Sequence, residues 1–231
     1  MSSRVIYAVL PCAGAGLRFG APYPKELHCI AAGTTMLDLA LAPLLDLAAE
    51  GAQIRLVAVL SAAKMATARY LHRYADRFCV VMTYQTPAHG SDLRGALAAA
   101  TPLCTGDTVL VLPDQSYQWD PARNPIRALL ARLEREDWAV LASPVTDPTE
   151  LASEGALRLE PIGGTLRVTA AAEKPADPTP YNAAWVSVAV AAPAVAELTG
   201  LVGANGRHPL VGASAVQVKG YRNATTPGSA T

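Results

Sequence analysis

The chain has 231 residues, of which 51% are apolar, enough to bury a sizeable core in one large domain or two small ones. Its 19 basic and 19 acidic residues cancel, which argues against a general nucleic-acid binder, because such proteins usually carry a basic excess. No apolar run reaches the roughly 18 residues of a membrane span, and residues 1–4 are too short for a signal peptide. We therefore expect a cytoplasmic protein with no membrane partner and no nucleic-acid partner.

The cysteines indicate the same compartment. Cys12, Cys29, Cys79 and Cys104 are scattered along the chain, and no two of them form a C-x-x-C pair. This spacing is typical of free thiols in a reducing compartment, and it fits neither a disulfide framework nor a zinc site.

The first 150 residues alternate between short apolar runs and helical segments. We predict strands over residues 5–10, 54–60, 78–84, 108–113 and 138–145, and helices over 35–50, 62–75, 92–100 and 125–136. The first helix contains Pro43, where we expect a bend or a break. Apolar strands separated by helices indicate a doubly wound, mainly parallel sheet, in which ligands bind at the carboxyl ends of the strands.

The pattern changes after residue 150. Strands over 155–159 and 166–172 are predicted to form a hairpin across Gly163-Gly164. A strand over 185–191, a short helix over 193–201 and a last strand over 216–221 follow. No repeat or long linker separates the two parts, so the sequence predicts a single α/β domain with a mixed sheet and a small C-terminal hairpin subregion.

A glycine loop follows the first strand. Gly14 and Gly16 are followed by Arg18 and Lys25. Small residues let backbone N–H groups point at phosphate oxygens, and two cations offset the phosphate charge. The loop is not a dinucleotide fingerprint, because Phe19 stands where G-x-G-x-x-G needs its third glycine, and it lacks the G-K-[ST] of a Walker loop. By itself, the loop is equally consistent with an ordinary turn between a strand and a helix.

With its Pro-Lys sequel, this loop resembles that of the nucleotidylyltransferases that join a nucleoside triphosphate to a sugar 1-phosphate. Ala13-Gly14-Ala15-Gly16-Leu17-Arg18 and Pro24-Lys25 fill the family's places, with Leu17 instead of the usual Thr or Ser. The resemblance implies a Rossmann-like fold with a nucleotide-binding half over residues 1–150 and an acceptor-binding half over residues 151–227. It also implies that the nucleotide lies against Ala13, Gly14, Ala15 and Gly16.

Two later segments resemble the family's base-binding and metal-binding parts. Gln85 and Gly90 follow the third strand, as do the family's glutamine-rich turn and the glycine that lets the base and ribose approach. Asp114 follows the fourth strand at the position of the main metal ligand. Asn223 stands near the end of the chain, where the family has a second metal-binding aspartate. The implied cofactor is Mg²⁺, which prefers a few carboxylates together with substrate phosphates.

The remaining matches belong to the acceptor. Glu173 and Lys174 begin a Glu-Lys-Pro motif, in which the family's glutamate holds a sugar hydroxyl and its lysine holds the sugar phosphate. Asn182 resembles the asparagine of the family's Asn-x-Gly, although Ala184 replaces the glycine. A solvated charge pair is the alternative interpretation of Glu173 and Lys174, and a polar loop before a helix is that of the Gln85 segment.

The resemblance implies a division of roles. A phosphate oxygen of the acceptor attacks the α-phosphorus and pyrophosphate leaves in line, so the protein mainly positions groups and neutralises charge. Arg18 and Lys25 are the predicted catalytic cations, at the β- and γ-phosphates and at the α-phosphate respectively. Lys174 would hold the acceptor phosphate, and Asp114, helped by Asn223, would hold Mg²⁺. The expected partners are a nucleoside triphosphate and a sugar 1-phosphate, and a homodimer is left open.

Other functions stay open at this point. The same fold could serve a cytidylyltransferase with a non-sugar acceptor such as phosphocholine, a polyol phosphate or a phosphonate. The departures at Leu17, Pro113, Ala184, Asn223 and Thr225 would also suit a nucleotide-binding relative with weak catalysis. A glycosyltransferase is disfavoured because Asp114-Gln115-Ser116 lacks the Asp-x-Asp metal motif, and a dinucleotide-dependent oxidoreductase is disfavoured by the loop.

Overall fold

The computed structural model describes residues 4–16, 19–145, 147–203 and 208–223. Its strands are β1 (Ile6–Pro11), β2 (Cys29–Ala31), β3 (Thr34–Thr35), β4 (Ile54–Leu60), β5 (Cys79–Tyr84), β6 (Thr108–Val111), β7 (Gln115–Gln118), β8 (Trp138–Pro144), β9 (Gly155–Ile162), β10 (Thr165–Glu173), β11 (Ala183–Val190), β12 (Ser214–Gln217) and β13 (Lys219–Asn223). Its α-helices are α1 (Met36–Ala49), α2 (Met65–Leu71), α3 (Leu93–Ala100) and α4 (Pro125–Arg132). Short 3₁₀ segments flank α2, and a longer one covers Ala192–Leu201.

One nine-stranded sheet runs through both halves of the chain, in the order β5-β4-β1-β6-β11-β8-β12-β10-β9. β1 is parallel to β4 and β6, and β4 is parallel to β5, so the N-terminal half contributes a parallel sheet. β11 then enters antiparallel between β6 and β8. Because β9 pairs with β11 as well as with β10, the five strands β11, β8, β12, β10 and β9 close into a ring.

Both faces of the sheet are covered, as the apolar strands predict. Successive side chains of β1 enter different cores: Val9 packs with α3 and the 192–201 segment, whereas Ala8 and Leu10 pack with α1, α2 and α4. This alternation is what period-two side chains produce in a strand that is buried on both sides. The predicted α/β fold class is therefore confirmed. Within the described ranges, no helix combines the length and the apolar character that a membrane span would need.

The hairpin of the C-terminal half forms where the sequence predicts it. β9 and β10 are joined by Gly163 and Gly164, whose φ angles are 58° and 76°. Two consecutive positive φ angles define the tight turn that matches the twist of antiparallel strands, and glycine adopts them without steric cost.

Some predicted elements differ from the structure. α1 continues through Pro43, because a capping box between Thr35 and Asp38 begins the helix and its apolar face is buried. The strand predicted over 216–221 is two strands, β12 in the main sheet and β13 paired with β7 outside it. The sequence analysis missed β2, β3 and β7, which are short and carry little apolar alternation.

Gly155 leads to a first prediction, because a Cβ at this position would overlap the indole of Trp185. We expect Gly155→Ala to lower the free energy of unfolding by about 1–3 kcal/mol, the usual cost of overpacking a buried site. Urea unfolding followed by tryptophan fluorescence measures this loss. Gly200→Ala is the matched control, since its Cβ would lie 4.0 Å from its nearest neighbour. Equal midpoints for the two variants would contradict the prediction.

Candidate active site

A cleft of about 550 Å³ lies where the parallel strands end. β1 and β6 run side by side with Ala8 opposite Val109, so the segments that follow both strands meet at the same edge of the sheet. Residues 12–16 come from the end of β1, and residues 112–114 come from the end of β6. The C-terminal half closes the cleft with residues around Glu154 and Glu173. This is the edge of a doubly wound sheet at which ligands bind.

The glycine loop lies along the cleft as the sequence predicts. Ala13, Gly14, Ala15 and Gly16 all line it. A Cβ at Gly14 would meet no atom of the described residues within 4 Å, so their packing does not require a glycine here. Arg18, predicted to bind the β- and γ-phosphates, lies outside the described residues together with Leu17.

Lys25 and Asp114 form an ion pair in the cleft. The two side chains retain 20% and 24% of their exposure, so both remain accessible to a ligand. Lys25 begins a short 3₁₀ segment, and Asp114 directly precedes β7. The structure therefore brings together one predicted phosphate-binding cation and the predicted metal-binding carboxylate.

A second ion pair, between Glu26 and Lys64, lines the same cleft and is almost completely buried. The Lys64 Nζ lies 3.2 Å and 3.0 Å from the two Glu26 carboxylate oxygens, and the Thr67 hydroxyl donates to the same carboxylate at 2.6 Å. Glu26 is 3% exposed and Lys64 is 5% exposed. The pair joins the Lys25 segment to the start of α2. Burial, followed by the Glu26 charge, raises the pKa of the nearby Cys12 thiol well above its usual value, which keeps it neutral.

The sequence analysis assigned no role to this buried pair. The only signal was composition: lysine occurs four times in a chain whose other basic residues are 15 arginines. Glu26 gave no signal at all, since an acidic residue after Lys25 is as consistent with a solvated turn as with a buried contact.

Gln85 lines the cleft on the other side of the glycine loop. Its amide nitrogen donates to the carbonyl oxygens of Gly90 and Asp92, each at 2.9 Å. Both of its N–H groups are thereby used, and its carbonyl oxygen is the group left for a base. Gly95 in α3 permits this packing, because a Cβ there would overlap the His89 carbonyl and the Gln85 amide. Gly90 has a φ of 82° and supports the loop without lining the cleft.

Glu173 and Lys174 reach the cleft from the end of β10. The Lys174 Nζ lies 3.6 Å from a Glu173 carboxylate oxygen, while the other Glu173 oxygen is buried and has no hydrogen-bond partner in the part of the chain that is described. Burial raises the pKa of Glu173, and the charge of Lys174 partly opposes this shift. Lys174 has a φ of 47°, the only positive value at a non-glycine residue in the described part of the chain. Backbone strain of this kind is concentrated at functional sites.

Asn182 lies apart from the cleft. Its side-chain oxygen accepts from the Leu159 N–H at 2.8 Å, and its side-chain nitrogen donates to the Leu159 carbonyl at 3.0 Å. It ties the segment before β11 to β9 and does not line the cleft in this structure. Its predicted contact with the acceptor stays a prediction.

Asn223 enters the cleft through the pairing of β13 with β7. It lies opposite Gln115, the residue that directly follows Asp114 along the chain. Its amide nitrogen donates to both carboxylate oxygens of Glu154, at 2.9 Å and 3.2 Å, and the Tyr221 hydroxyl donates to the same group at 3.1 Å. The Asn223 side-chain oxygen is buried and has no hydrogen-bond partner among the residues that the structure describes.

Glu154 is a cleft residue that the sequence analysis missed. Burial is the main cause that raises its pKa, with smaller contributions in the same direction from the charges of Asp114 and Glu173. Nothing in the sequence distinguishes it from Glu150 four residues earlier, because only the contact with β13 gives it a role. The order of the strands, not their composition, places it here.

These oxygens suit a hard divalent cation. Asp114 supplies a carboxylate, and Asn223 supplies an amide oxygen that is buried without a partner. In the described part of the chain, no group of three His, Cys, Asp or Glu side chains could hold a metal by itself. Magnesium commonly binds one or two carboxylates together with substrate phosphates, so the residues present fit this cofactor.

Comparisons with known proteins indicate the fold. No protein-family model matches the chain, and no curated protein matches it. Among solved structures, a UDP-glucose pyrophosphorylase from Acinetobacter baumannii superposes with a TM-score of 0.74 at 16% identity, covering 98% of this chain and 90% of that one. A UDP-glucose pyrophosphorylase complexed with UDP-glucose gives a TM-score of 0.77 at 16% identity, with 98% and 95% covered.

A third solved structure is a putative glucose-1-phosphate thymidylyltransferase from Bacillus anthracis, in complex with a sucrose. It gives a TM-score of 0.68 at 16% identity and covers 97% of this chain and 92% of its own. The chain thus has, over nearly its whole length, the Rossmann-like fold of these sugar-phosphate nucleotidylyltransferases.

Proposed function

We propose that this chain is a nucleotidylyltransferase that joins a nucleoside triphosphate to a sugar 1-phosphate and releases pyrophosphate. One observation carries the proposal: Lys25 and Asp114 meet in a cleft that has the glycine loop on one side and Glu173 with Lys174 on the other. A phosphate cradle, a metal-binding carboxylate and a second phosphate-binding cation are the groups that this transfer requires. The likeness to two pyrophosphorylases and a thymidylyltransferase supports it.

The chemistry forms one bond and breaks one. A phosphate oxygen of the acceptor bonds to the α-phosphorus while the bond from that phosphorus to the bridging oxygen of pyrophosphate breaks in line. Both reactants are anions, so the main task is to place them together against their repulsion. Lys25 would neutralise the α-phosphate, Lys174 would hold the acceptor phosphate, and Arg18 would receive the charge that builds on pyrophosphate.

The ion pair of Lys25 with Asp114 prepares both groups for this task. Each side chain holds the other, which keeps both charges in the cleft. A triphosphate competes with Asp114 for Lys25, and a divalent cation competes with Lys25 for Asp114, so either ligand can open the pair. Bound Mg²⁺ would supply further charge neutralisation at the phosphates, held by Asp114 and by the Asn223 side-chain oxygen.

Glu173 supports a hydroxylated acceptor. Its unpartnered carboxylate oxygen is buried in the cleft wall, where a sugar hydroxyl can donate to it. A buried acceptor atom without a partner costs about 1–3 kcal/mol, so a ligand that satisfies it gains affinity and orientation. A polyol phosphate would satisfy the same oxygen, whereas phosphocholine, which has no hydroxyl, would not.

The function is tested with a grid of the common nucleoside triphosphates against sugar 1-phosphates, polyol phosphates and phosphocholine, with Mg²⁺ present. The proposal expects pyrophosphate release that depends on both substrates and is highest with a sugar 1-phosphate. Release only with a non-sugar acceptor would move the assignment to that class. Nucleotide-dependent thermal stabilisation without any release would show a binding protein instead.

Removing either member of the cleft ion pair gives a sharper prediction. We expect Lys25→Ala and Asp114→Ala each to lower turnover by at least about a hundredfold, because each removes a group aimed at phosphate charge in a partly dry site. Pyrophosphate release measures the loss, and thermal unfolding checks that the variants fold. Lys219→Ala is the matched control, since this exposed lysine lies in β13 and does not line the cleft. Turnover near the wild-type value in either cleft variant would refute the assigned role.

Removing one member of the buried Glu26–Lys64 ion pair should lower the stability of the protein. Lys64→Met leaves the Glu26 carboxylate buried without its charge partner, so we expect the free energy of unfolding to fall by about 3–5 kcal/mol. Adding Glu26→Gln should recover much of this loss, because no uncompensated charge remains. Arg158→Met is the control: its exposed ion pair with Glu160, at 2.8 Å, should contribute less than about 1 kcal/mol. Urea unfolding decides the matter, and equal losses for Lys64→Met and Arg158→Met would contradict it.

A further inference from the structure

Glu154 has no part in the function as proposed so far, although it is one of the more buried carboxylates of the cleft. We propose that Glu154 completes the divalent-cation site: its carboxylate holds the Asn223 amide so that the side-chain oxygen faces the cation, and it contributes the negative charge that Asn223 lacks. This inference rests on the proposed function, which requires a divalent cation between Asp114 and the phosphates. It adds to that function a supporting carboxylate that the sequence motifs do not contain.

The first step is the orientation of Asn223. A carboxylate has only acceptor oxygens, so the group that Asn223 turns toward Glu154 must be its NH₂. The two contacts, at 2.9 Å and 3.2 Å, spread that NH₂ over both Glu154 oxygens. The Asn223 side-chain oxygen therefore points away from Glu154, and it is the oxygen that is buried without a partner.

The second step is charge. In the described part of the chain, Glu154 forms no ion pair with a lysine or an arginine, whereas Glu26, Asp114 and Glu173 each have a lysine partner. Its hydrogen bonds come from neutral donors, Asn223 and Tyr221. A buried carboxylate beside two other carboxylates is costly unless a cation joins it. The proposed nucleotidyl transfer uses such a cation, Mg²⁺.

The third step concerns a second amide oxygen without a partner, on the neighbouring strand β7. Gln115 is 6% exposed and lines the cleft, and its side-chain oxygen has no hydrogen-bond partner in the described ranges. It lies opposite Asn223 in the pairing of β7 with β13 and directly follows Asp114. Two amide oxygens left unsatisfied on adjacent strands, next to a carboxylate, are the kind of oxygen set that a hard cation fills.

The fourth step connects the cation to the acceptor. The backbone N–H of Lys174 donates to the backbone carbonyl of Glu154 at 2.9 Å. Glu173 lies opposite Gly155 in the pairing of β9 with β10. Glu154 therefore lies between the Asp114–Asn223 side of the cleft and the lysine predicted to hold the acceptor phosphate. Through its carboxylate, Glu154 therefore couples the cation site to Lys174.

Mn²⁺ is the probe for the test, because it takes the same oxygen ligands as Mg²⁺ and the free ion is counted directly by electron paramagnetic resonance. Titrating the full-length protein with Mn²⁺ alone should show one site in the wild type. Glu154→Gln should weaken it by about 10- to 100-fold, the usual effect of losing a ligand or its supporting hydrogen bond. Glu150→Gln is the matched control, since this exposed glutamate does not line the cleft.

A reciprocal exchange separates this role from a merely structural one. In the double variant Glu154→Gln with Asn223→Asp, the glutamine NH₂ donates to the new carboxylate, so the hydrogen bond and the single negative charge are both kept. We expect this variant to recover most of the lost Mn²⁺ affinity. Failure of the folded double variant to bind would refute the inference, and it decides the question even where Glu154→Gln alone does not fold.

The remaining outcomes are distinct. Absence of a Mn²⁺ site in the wild type, or equal affinities for Glu154→Gln and Glu150→Gln, would overturn the role of Glu154. Pyrophosphate release by the same wild-type protein would then leave the proposed function standing. A Mn²⁺ site that depends on Glu154, found in a protein that releases no pyrophosphate with any substrate pair, would support the inference and reject the function.

Discussion

The cleft depends on the parallel pairing of β1 with β6. That register brings the ends of the two strands to one edge of the sheet, and the Lys25–Asp114 ion pair then joins the segments that follow them. Both strands are buried on both faces. A shift of the strand register by one residue would exchange the side chains that face the two cores. The position of the two charges therefore rests on hydrophobic packing far larger than the ion pair itself.

The neighbouring ion pair of Glu26 with Lys64 is buried, so both charges lose their water. A buried ion pair contributes little net stability, because desolvation of both charges offsets their attraction. Its value here is positional: it ties the residue next to Lys25 to the start of α2. A lysine expected to act on phosphate needs a defined starting point, since small displacements reduce the advantage of proximity.

The C-terminal half adds Glu154, Glu173 and Asn223 to a cleft that already contains the Lys25–Asp114 ion pair of the N-terminal half. The ring of strands from β11 to β9 holds Glu154 beside Lys174, and β13 brings Asn223 to the same place. Gly155 lets Trp185 fill the wall behind them. These groups lie in strands or directly beside strand ends, and regular elements position side chains more rigidly than loops do.

The sequence by itself determined the local part of this protein. Apolar runs specified the strands of the parallel half, Gly163-Gly164 specified the hairpin, and Gly14 and Gly16 indicated a glycine loop at the end of the first strand. These features are readable because each arises from neighbours along the chain: side-chain period, turn geometry and small residues. The short strands β7 and β13 were not readable, because their stability comes from pairing with each other across about a hundred residues.

Only the tertiary structure decided which charges meet. Glu26 with Lys64, Asn223 with Glu154, and Lys25 with Asp114 are separated by 38, 69 and 89 residues, and no local pattern encodes such distances. The motifs named Asp114 and Asn223 as candidate metal ligands, yet the amide orientation of Asn223 is set by a glutamate outside every motif. Composition and spacing state which chemical groups are available; strand order and burial determine which of them lose their water together, and therefore which must pair.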